Sequence, residues 1–225
     1  FIIAGSSETF RLERSQLMAV DLQAQLDKGC AELQLQLSDQ QKNQLLDYLA
    51  LLQKWNKVYN LTSVRDPQGM LTRHILDSLS LIPYLHCNSL LDVGSGAGLP
   101  GIPVAMCFPQ MAVTLLDSNI KKTRFLQQVK AELKLNNVTV IHGRVEQLTL
   151  PKFEVITARA FATIAEIIDL AARHCDDAGS LVLMKGVYPE QELASVGGGF
   201  TLKDVIALNV PGDQAERHLV RLIKD

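Results

Sequence analysis

LLDVGSGAGLPGIP, residues 90–103, sets an apolar run ending in an acid in front of four glycines and two prolines. A strand that runs into a glycine-rich turn and then a helix brings backbone N–H groups to the carboxyl edge of a sheet, where open α/β sheets bind ligands. Two templates fit. Through Gly94 the loop reads D-x-G-x-G-x-G, and from Gly96 it reads GAGLPG, a match to the dinucleotide fingerprint G-x-G-x-x-G. Asp117, which closes the next apolar run, stands where either ligand presents ribose hydroxyls.

Asp92 separates the two. Two residues before the first glycine, it is expected at the mouth of the strand, near where a pyrophosphate would lie. A like-charge pair at about 5 Å costs roughly 3 kcal/mol at an effective dielectric of 20. S-adenosylmethionine has no phosphate and carries an ammonium and a sulfonium, so the same acid favours it. A purely structural turn is the bland alternative; the acid, the spaced glycines and a second run ending in LLD weigh against it.

Either side of this loop the pattern is that of a parallel sheet. The runs 89–94, 112–117, 138–142, 153–158 and 180–185 are apolar on both faces, as strands covered by helices on both sides should be. Helices are predicted near 101–108, 119–135 and 163–175, which completes a β-α-β rhythm. After the glycines of 197–199, KDVIALNV and RHLVRLIK are expected to form a closing antiparallel pair. Before residue 87 the chain reads as helical. Ser38 and Gln41 form a capping-box pattern ahead of Leu45, Leu49 and Leu52, and Asp66-Pro67 looks like the start of a second helix running to Pro83. Three parts result: residues 1–17, without clear period and expected to be an extension; a helical region over 18–87; and an α/β domain over 88–225.

Composition narrows the class. The chain has 225 residues, 47% hydrophobic and 20% charged, which suits a folded protein able to bury a core. No apolar run approaches the length of a membrane span, and FIIAG is too short for a secretory signal, so a cytoplasmic protein is expected. Cys30, Cys87, Cys107 and Cys175 are scattered, which suggests neither a disulfide framework nor a zinc site; no metal is implied. With a formal net charge of −2, any polyanion must meet a local basic patch.

The loop, with its LPGIP continuation, resembles motif I of class I methyltransferases as it occurs in the RsmG (GidB) family of 16S rRNA methyltransferases. WNKVYNLTSVRDP (55–67), RHILDSL (73–79), LLDSNIKKTRFL (115–126), RVE (144–146), RAFA (159–162), KG (185–186) and ERHLV (216–220) follow in that family's order, from about residue 33 to the end. The resemblance implies a Rossmann-like α/β fold of the class I S-adenosylmethionine-dependent type. It has a mostly parallel sheet with helices on both faces, an antiparallel C-terminal strand and an N-terminal helical cap. It also implies methyl transfer from S-adenosylmethionine to N7 of a guanine, guanine 527, in 16S rRNA of the small ribosomal subunit or an assembly intermediate. The oligomeric state stays open, a monomer included.

By that resemblance Gly94 and Leu99 line the cofactor pocket, Val145 and Glu146 meet the adenine, and Arg159 touches the cofactor. The chemistry of the residues agrees: Gly94 and Gly96 leave room for the methionine part, Asp117 accepts from ribose hydroxyls, and Arg159 pairs with the methionine carboxylate or steers a phosphate. Candidate RNA contacts are Lys121, Lys122 and Arg124 in a basic stretch, with Lys185 and Arg217; a solvated helix face is the alternative for part of that stretch. Arg73 and His74 are candidates for tying the N-terminal helices to the pocket. Trp55 and Tyr59 read as core.

No general base is evident. Cytosine C5 methylation would need a cysteine in an active-site motif, and amine methylation often uses an Asn/Asp-Pro-Pro-Tyr-like strand end where this chain has TARAFA. Guanine N7 has an in-plane lone pair and no proton to lose, so direct attack suffices, with Arg159 at most orienting. Other readings are a methyltransferase of a protein or small molecule, a non-catalytic donor- or RNA-binding module, and a nicotinamide-dependent oxidoreductase. Thermal shifts separate the last: S-adenosylhomocysteine is expected to raise the melting temperature and nicotinamide dinucleotide to leave it unchanged, and the reverse ranking would overturn the choice of ligand.

Overall fold

Seven strands form one sheet in the order β3-β2-β1-β4-β5-β7-β6. They are β1 Ser89–Val93, β2 Ala112–Asp117, β3 Val138–His142, β4 Phe153–Arg159, β5 Cys175–Lys185, β6 Phe200–Ala207 and β7 His218–Lys224. This computed structural model describes the backbone of residues 7–225 and the side chains from Val20 onward. The chain builds outward from β1 through β2 to β3, returns to lay β4 on the other side of β1, and then adds β5, all parallel. β7 inserts antiparallel between β5 and β6. The strand order therefore reverses between β1 and β4, and in open sheets the ligand crevice opens at that point, outside the carboxyl ends.

Helices cover both faces because alternate residues of each strand point to opposite sides. Leu90, Val113, Leu115 and Val155 share one apolar cluster with helices α2 Asp39–Tyr59, α5 Gly101–Cys107 and α6 Ile120–Glu132. Leu91, Leu116, Ile156 and Leu181 share the other with α7 Ile164–Ala171. Ser38 caps α2 with the expected capping box, and Thr163 with Glu166 makes a second one on α7.

The helical region before β1 holds to α5, α6 and the glycine loop by polar as well as apolar contacts. Gln41 Nε2 donates to the carbonyls of Met106 and Cys107 (3.0 and 3.1 Å), and Gln44 Nε2 to that of Leu133 (3.2 Å). Last-turn carbonyls have no partner within their own helix, so α2 caps both α5 and α6 from outside. Tyr48, fully buried on α2, donates its hydroxyl to the carbonyl of Ala97 inside the glycine loop (2.7 Å).

Asp66 caps a helical run as expected, but that run is not uniform. It comprises α3 Pro67–Met70, a π-helical segment Leu71–Leu76, and α4 Asp77–Leu79. A π turn has a wider register than the α-helix and is common near functional sites.

Two expectations change. A helix, α1 Ser7–Glu32, begins within the stretch read as an aperiodic extension, while residues 1–6 lie outside the described residues. Its Leu26 and Cys30 reach the shared core, which is where tertiary packing supports it. β5 begins at Cys175, five residues early, because Cys175 pairs with Phe153 ahead of an irregularity in register.

Replacing Tyr48 with Phe keeps the ring and strands the Ala97 carbonyl, so Tyr48→Phe is expected to cost about 1–3 kcal/mol in urea unfolding.

Candidate active site

Two cavities open at the β1/β4 reversal. The first, about 490 Å³, is lined by Gly94, Asp117, Lys122, Val145, Glu146 and Phe161, among others. The second, about 460 Å³, is lined by Arg73, His74, Asp77, Arg159, Lys185 and Arg217, also among others. Ala160 and Phe161 border both.

Of the glycine loop, Gly94 lines the first cavity, whereas Gly96 is not among its lining residues. Gly96 has φ +61°, which an L side chain rarely adopts, and a Cβ there would face open space with nothing nearer than 3.8 Å. Gly94 also lies at positive φ, but the room beside it is taken: a Cβ would sit 2.1 Å from Phe161 Cδ2. Ala160, left-handed at φ 48°, turns the chain after β4 so that the Phe161 ring lies against Gly94.

Asp117 sits at the end of β2 and lines the first cavity. Its Oδ2 accepts from the Gly96 N–H (2.9 Å), its Oδ1 accepts from the Asn119 N–H (2.8 Å), and Lys122 Nζ stands 3.7 Å away. A carboxylate has about four acceptor sites, so both oxygens keep capacity for hydroxyl donors. Val145 forms a buried wall, with its carbonyl already accepting from Arg173 Nη2 (2.7 Å); that backbone group is therefore committed within the protein. Glu146 lies at the exposed rim, 3.9 Å from Arg144. A glycine cradle, a strand-end carboxylate and an apolar wall fit the hydroxyl-bearing, flat nucleoside part of S-adenosylmethionine.

Two residues of the glycine motif are placed differently from the sequence reading. Asp92 is not at the mouth of the strand. It is completely buried beneath the loop, its Oδ2 accepts from the Gly101 N–H (2.9 Å), and among the described residues its Oδ1 has no hydrogen-bond partner. Burial pushes its carboxyl up to about 7, with the Gly101 N–H opposing. It thus shapes the loop from below, and the repulsion argument drawn from a carboxylate beside a pyrophosphate does not apply to this geometry. Leu99 is likewise buried in the core, and neither residue lines the two cavities.

In the second cavity Arg159 and Arg217 converge on one acid that the sequence reading missed. Arg159 Nη1 donates to Asp77 Oδ2 and to the Arg73 carbonyl (2.9 Å), and Arg217 Nε donates to Asp77 Oδ1 (2.7 Å). Asp77 is fully buried. A signal existed: an aspartate in the middle of the apolar RHILDSL helix is seldom buried without partners. Arg73 does tie the helical region to the site, through its main chain.

His74 is buried, with Nε2 against Thr62 Oγ1 (2.8 Å) and Nδ1 against the Arg73 carbonyl. Burial and the Arg159 charge push its pKa down to about 4, so the ring is neutral near pH 7.

The candidate RNA contacts fall into two groups. Lys121 and Arg124 are exposed on α6. Lys122 pairs with Asp117, Lys185 with Glu192 (2.7 Å) and Arg217 with Asp77, so these three are held by acids. Phe161, Val187 and Tyr188 are exposed apolar side chains on the segments that follow β4 and β5, which sequence periodicity did not single out. Trp55 packs 5.6 Å from Phe125 between ring centres, consistent with a core role, whereas Tyr59 is exposed beside it.

Comparison with known proteins bears on this arrangement. The GidB family profile, described as rRNA small subunit methyltransferase G, matches residues 41–220. Relatives named ribosomal RNA small subunit methyltransferase G are similar along most of their length. That of Pseudomonas entomophila is 48% identical over 211 residues, covering 92% of this chain and 98% of the relative. That of Burkholderia pseudomallei is 49% identical over 213 residues, covering 91% and 92%. Among solved structures, a SAM-dependent methyltransferase from Aquifex aeolicus superposes with a TM-score of 0.57 at 17% identity, covering 74% of this chain and 97% of that one. The glycopeptide N-methyltransferase MtfA, complexed with S-adenosylmethionine, superposes with a TM-score of 0.59 at 12% identity, covering 68% and 87%. Those two likenesses show the fold.

The raised carboxyl of Asp92 makes stability depend on pH with a definite sign. Between its ordinary value near 4 and about 7 the folded state keeps a proton that the unfolded chain releases, so stability falls as pH rises across that window. Asp92→Asn does not titrate. Between pH 5 and pH 8 the wild type is expected to lose about 2–3 kcal/mol more than this variant, as measured by urea unfolding at both pH values.

Proposed function

The chain belongs to the rRNA small subunit methyltransferase G family, and from that premise we propose that it methylates N7 of a guanine in 16S rRNA, guanine 527 by family resemblance, with S-adenosylmethionine as donor. The observation that supports this reading best is the pair of cavities meeting at Ala160 and Phe161. Methyl transfer requires two ligands on separate walls whose reacting atoms touch, and alignment is then the main contribution of the protein.

In this reading the first cavity takes the donor. Asp117 receives the ribose hydroxyls, Val145 and Glu146 flank the adenine, and Gly94 and Gly96 border the methionine part once the Phe161 ring shifts. Arg159 reaches the methionine carboxylate from the other side. When bound, the donor supplies an electrophilic methyl group on a sulfonium. Asp92 and Leu99 act beneath, by holding the loop.

The second cavity takes the target base, drawn out of its stack. Enzymes acting on a base commonly extrude it into a pocket and stack it on an aromatic face. Phe161 offers that face, and Arg217, Lys185 and Arg73 lie where they can meet phosphates. Lys121, Lys122 and Arg124 extend the positive surface along α6. Guanine N7 attacks with its lone pair, so no group has to take a proton from it, in keeping with the neutral, hydrogen-bonded state of His74 in this cavity.

The same reading assigns the protein to the cytoplasm, with the small ribosomal subunit or its assembly intermediate as partner. Among the described residues no helix is long and apolar enough to cross a membrane, and the four cysteines are free thiols, as a reducing compartment favours.

Nucleotide-resolution mapping of methyl acceptors tests the proposal. Small subunits lacking the modification, incubated with enzyme and labelled donor, are expected to gain one 7-methylguanine in 16S rRNA. Label in protein or small molecules with none in RNA would overturn it.

A further inference from the structure

Asp77 joins three distant parts of the chain. It lies just past the π-helical segment of the N-terminal region, and its two oxygens bind Arg159 at the end of β4 and Arg217 just before β7, 82 and 140 residues away. Arg159 is pinned at one end only. Nη1 donates to Asp77 and to the Arg73 carbonyl, and among the described residues Nε and Nη2 have no hydrogen-bond partner and are not sealed from the cavity. That remaining edge of the guanidinium is a planar fork that matches a carboxylate with two parallel hydrogen bonds.

The charges point the same way. Two guanidiniums share the buried Asp77, and the one other acid on them among the described residues, Asp213, stands 3.5 Å from Arg217 and does not contact Arg159. Arg159 therefore has half of a carboxylate for its full positive charge, while its side chain remains 21% exposed. A long side chain at a partly open position loses its direction unless something fixes it, and here two acceptors from the helical region fix it.

We propose that Asp77 is a positioning residue for methyl transfer: from the N-terminal helices it locks Arg159 so that the open edge of the guanidinium meets the carboxylate of the methyl donor. The inference rests on the function proposed above, in which Arg159 contacts the donor.

Calorimetric binding of S-adenosylhomocysteine, which keeps that carboxylate, tests it without turnover. Asp77→Asn is expected to weaken binding about tenfold and Arg159→Ala tenfold or more, whereas the double variant should bind no more than twofold worse than Arg159→Ala alone, because both changes remove one interaction. If Asp77→Asn does not fold, the charge-balanced pair Asp77→Asn/Arg217→Gln replaces it, with the same tenfold loss expected. A folded variant that binds within twofold of wild type, or losses that multiply with Arg159→Ala, would assign Asp77 a structural role only and overturn the proposal. Wild-type affinity in Arg159→Ala would overturn the donor contact of Arg159, and this proposal with it. If the wild type binds the ligand but places no methyl on RNA, the acceptor reading fails while the positioning role stands.

Discussion

The loop after β1 is held by two carboxylates at the ends of neighbouring parallel strands. Asp92, from below, accepts from the Gly101 N–H, and Asp117, from the side, accepts from the Gly96 N–H. Each takes a main-chain donor that a tight turn would otherwise leave unsatisfied, and together they fix the segment that follows Gly94, the loop residue lining the first cavity. Because the strand order reverses between β1 and β4, the loop meets the segment after β4, with the Phe161 ring against Gly94, and the cavities open on either side of Ala160 and Phe161. The position of both cavities follows from that reversal and from those two hydrogen bonds.

The helices before β1 complete the site as well as covering the sheet. Tyr48 braces the glycine loop through Ala97, Gln41 and Gln44 cap α5 and α6, and the run from Pro67 to Leu79 supplies one wall of the second cavity. Within that run the π-helical turn carries the Arg73 carbonyl and leads directly into Asp77, the two acceptors that share Arg159. A buried carboxylate with two guanidinium partners is well satisfied. Removing it would leave two cations facing one another at a partly desolvated wall.

Much of this was legible without coordinates. The core strands are apolar on both faces, so the parallel sheet announced itself in the spacing of Leu, Val and Ile runs, and Ser38 with Gln41 and Asp66 with Pro67 marked helix starts correctly. The start of α1 was read as an extension because the α1 residues seen to reach the core, Leu22, Leu26 and Cys30, all lie beyond residue 17, in the part already read as helical. The reading of Asp92 went wrong for a physical reason. Position along a strand says which residue ends it, but not whether the following loop folds over that residue and seals it. The room beside Gly94 was misjudged in the same way, since the ring that fills it lies 67 residues further along.

Local sequence determined the pieces: strand and helix periods, caps, the glycine turn and the acid that closes β2. These depend on neighbours a few residues apart, which one linear pattern records. Tertiary structure alone decided that Asp77, Arg159 and Arg217 meet, that Phe161 stands between the two cavities, and that Asp117 lines the first cavity while Asp92 does not. Those relations arise when strands far apart in the chain are laid side by side, so their distances and the resulting shifts in charge state exist only once the chain has folded.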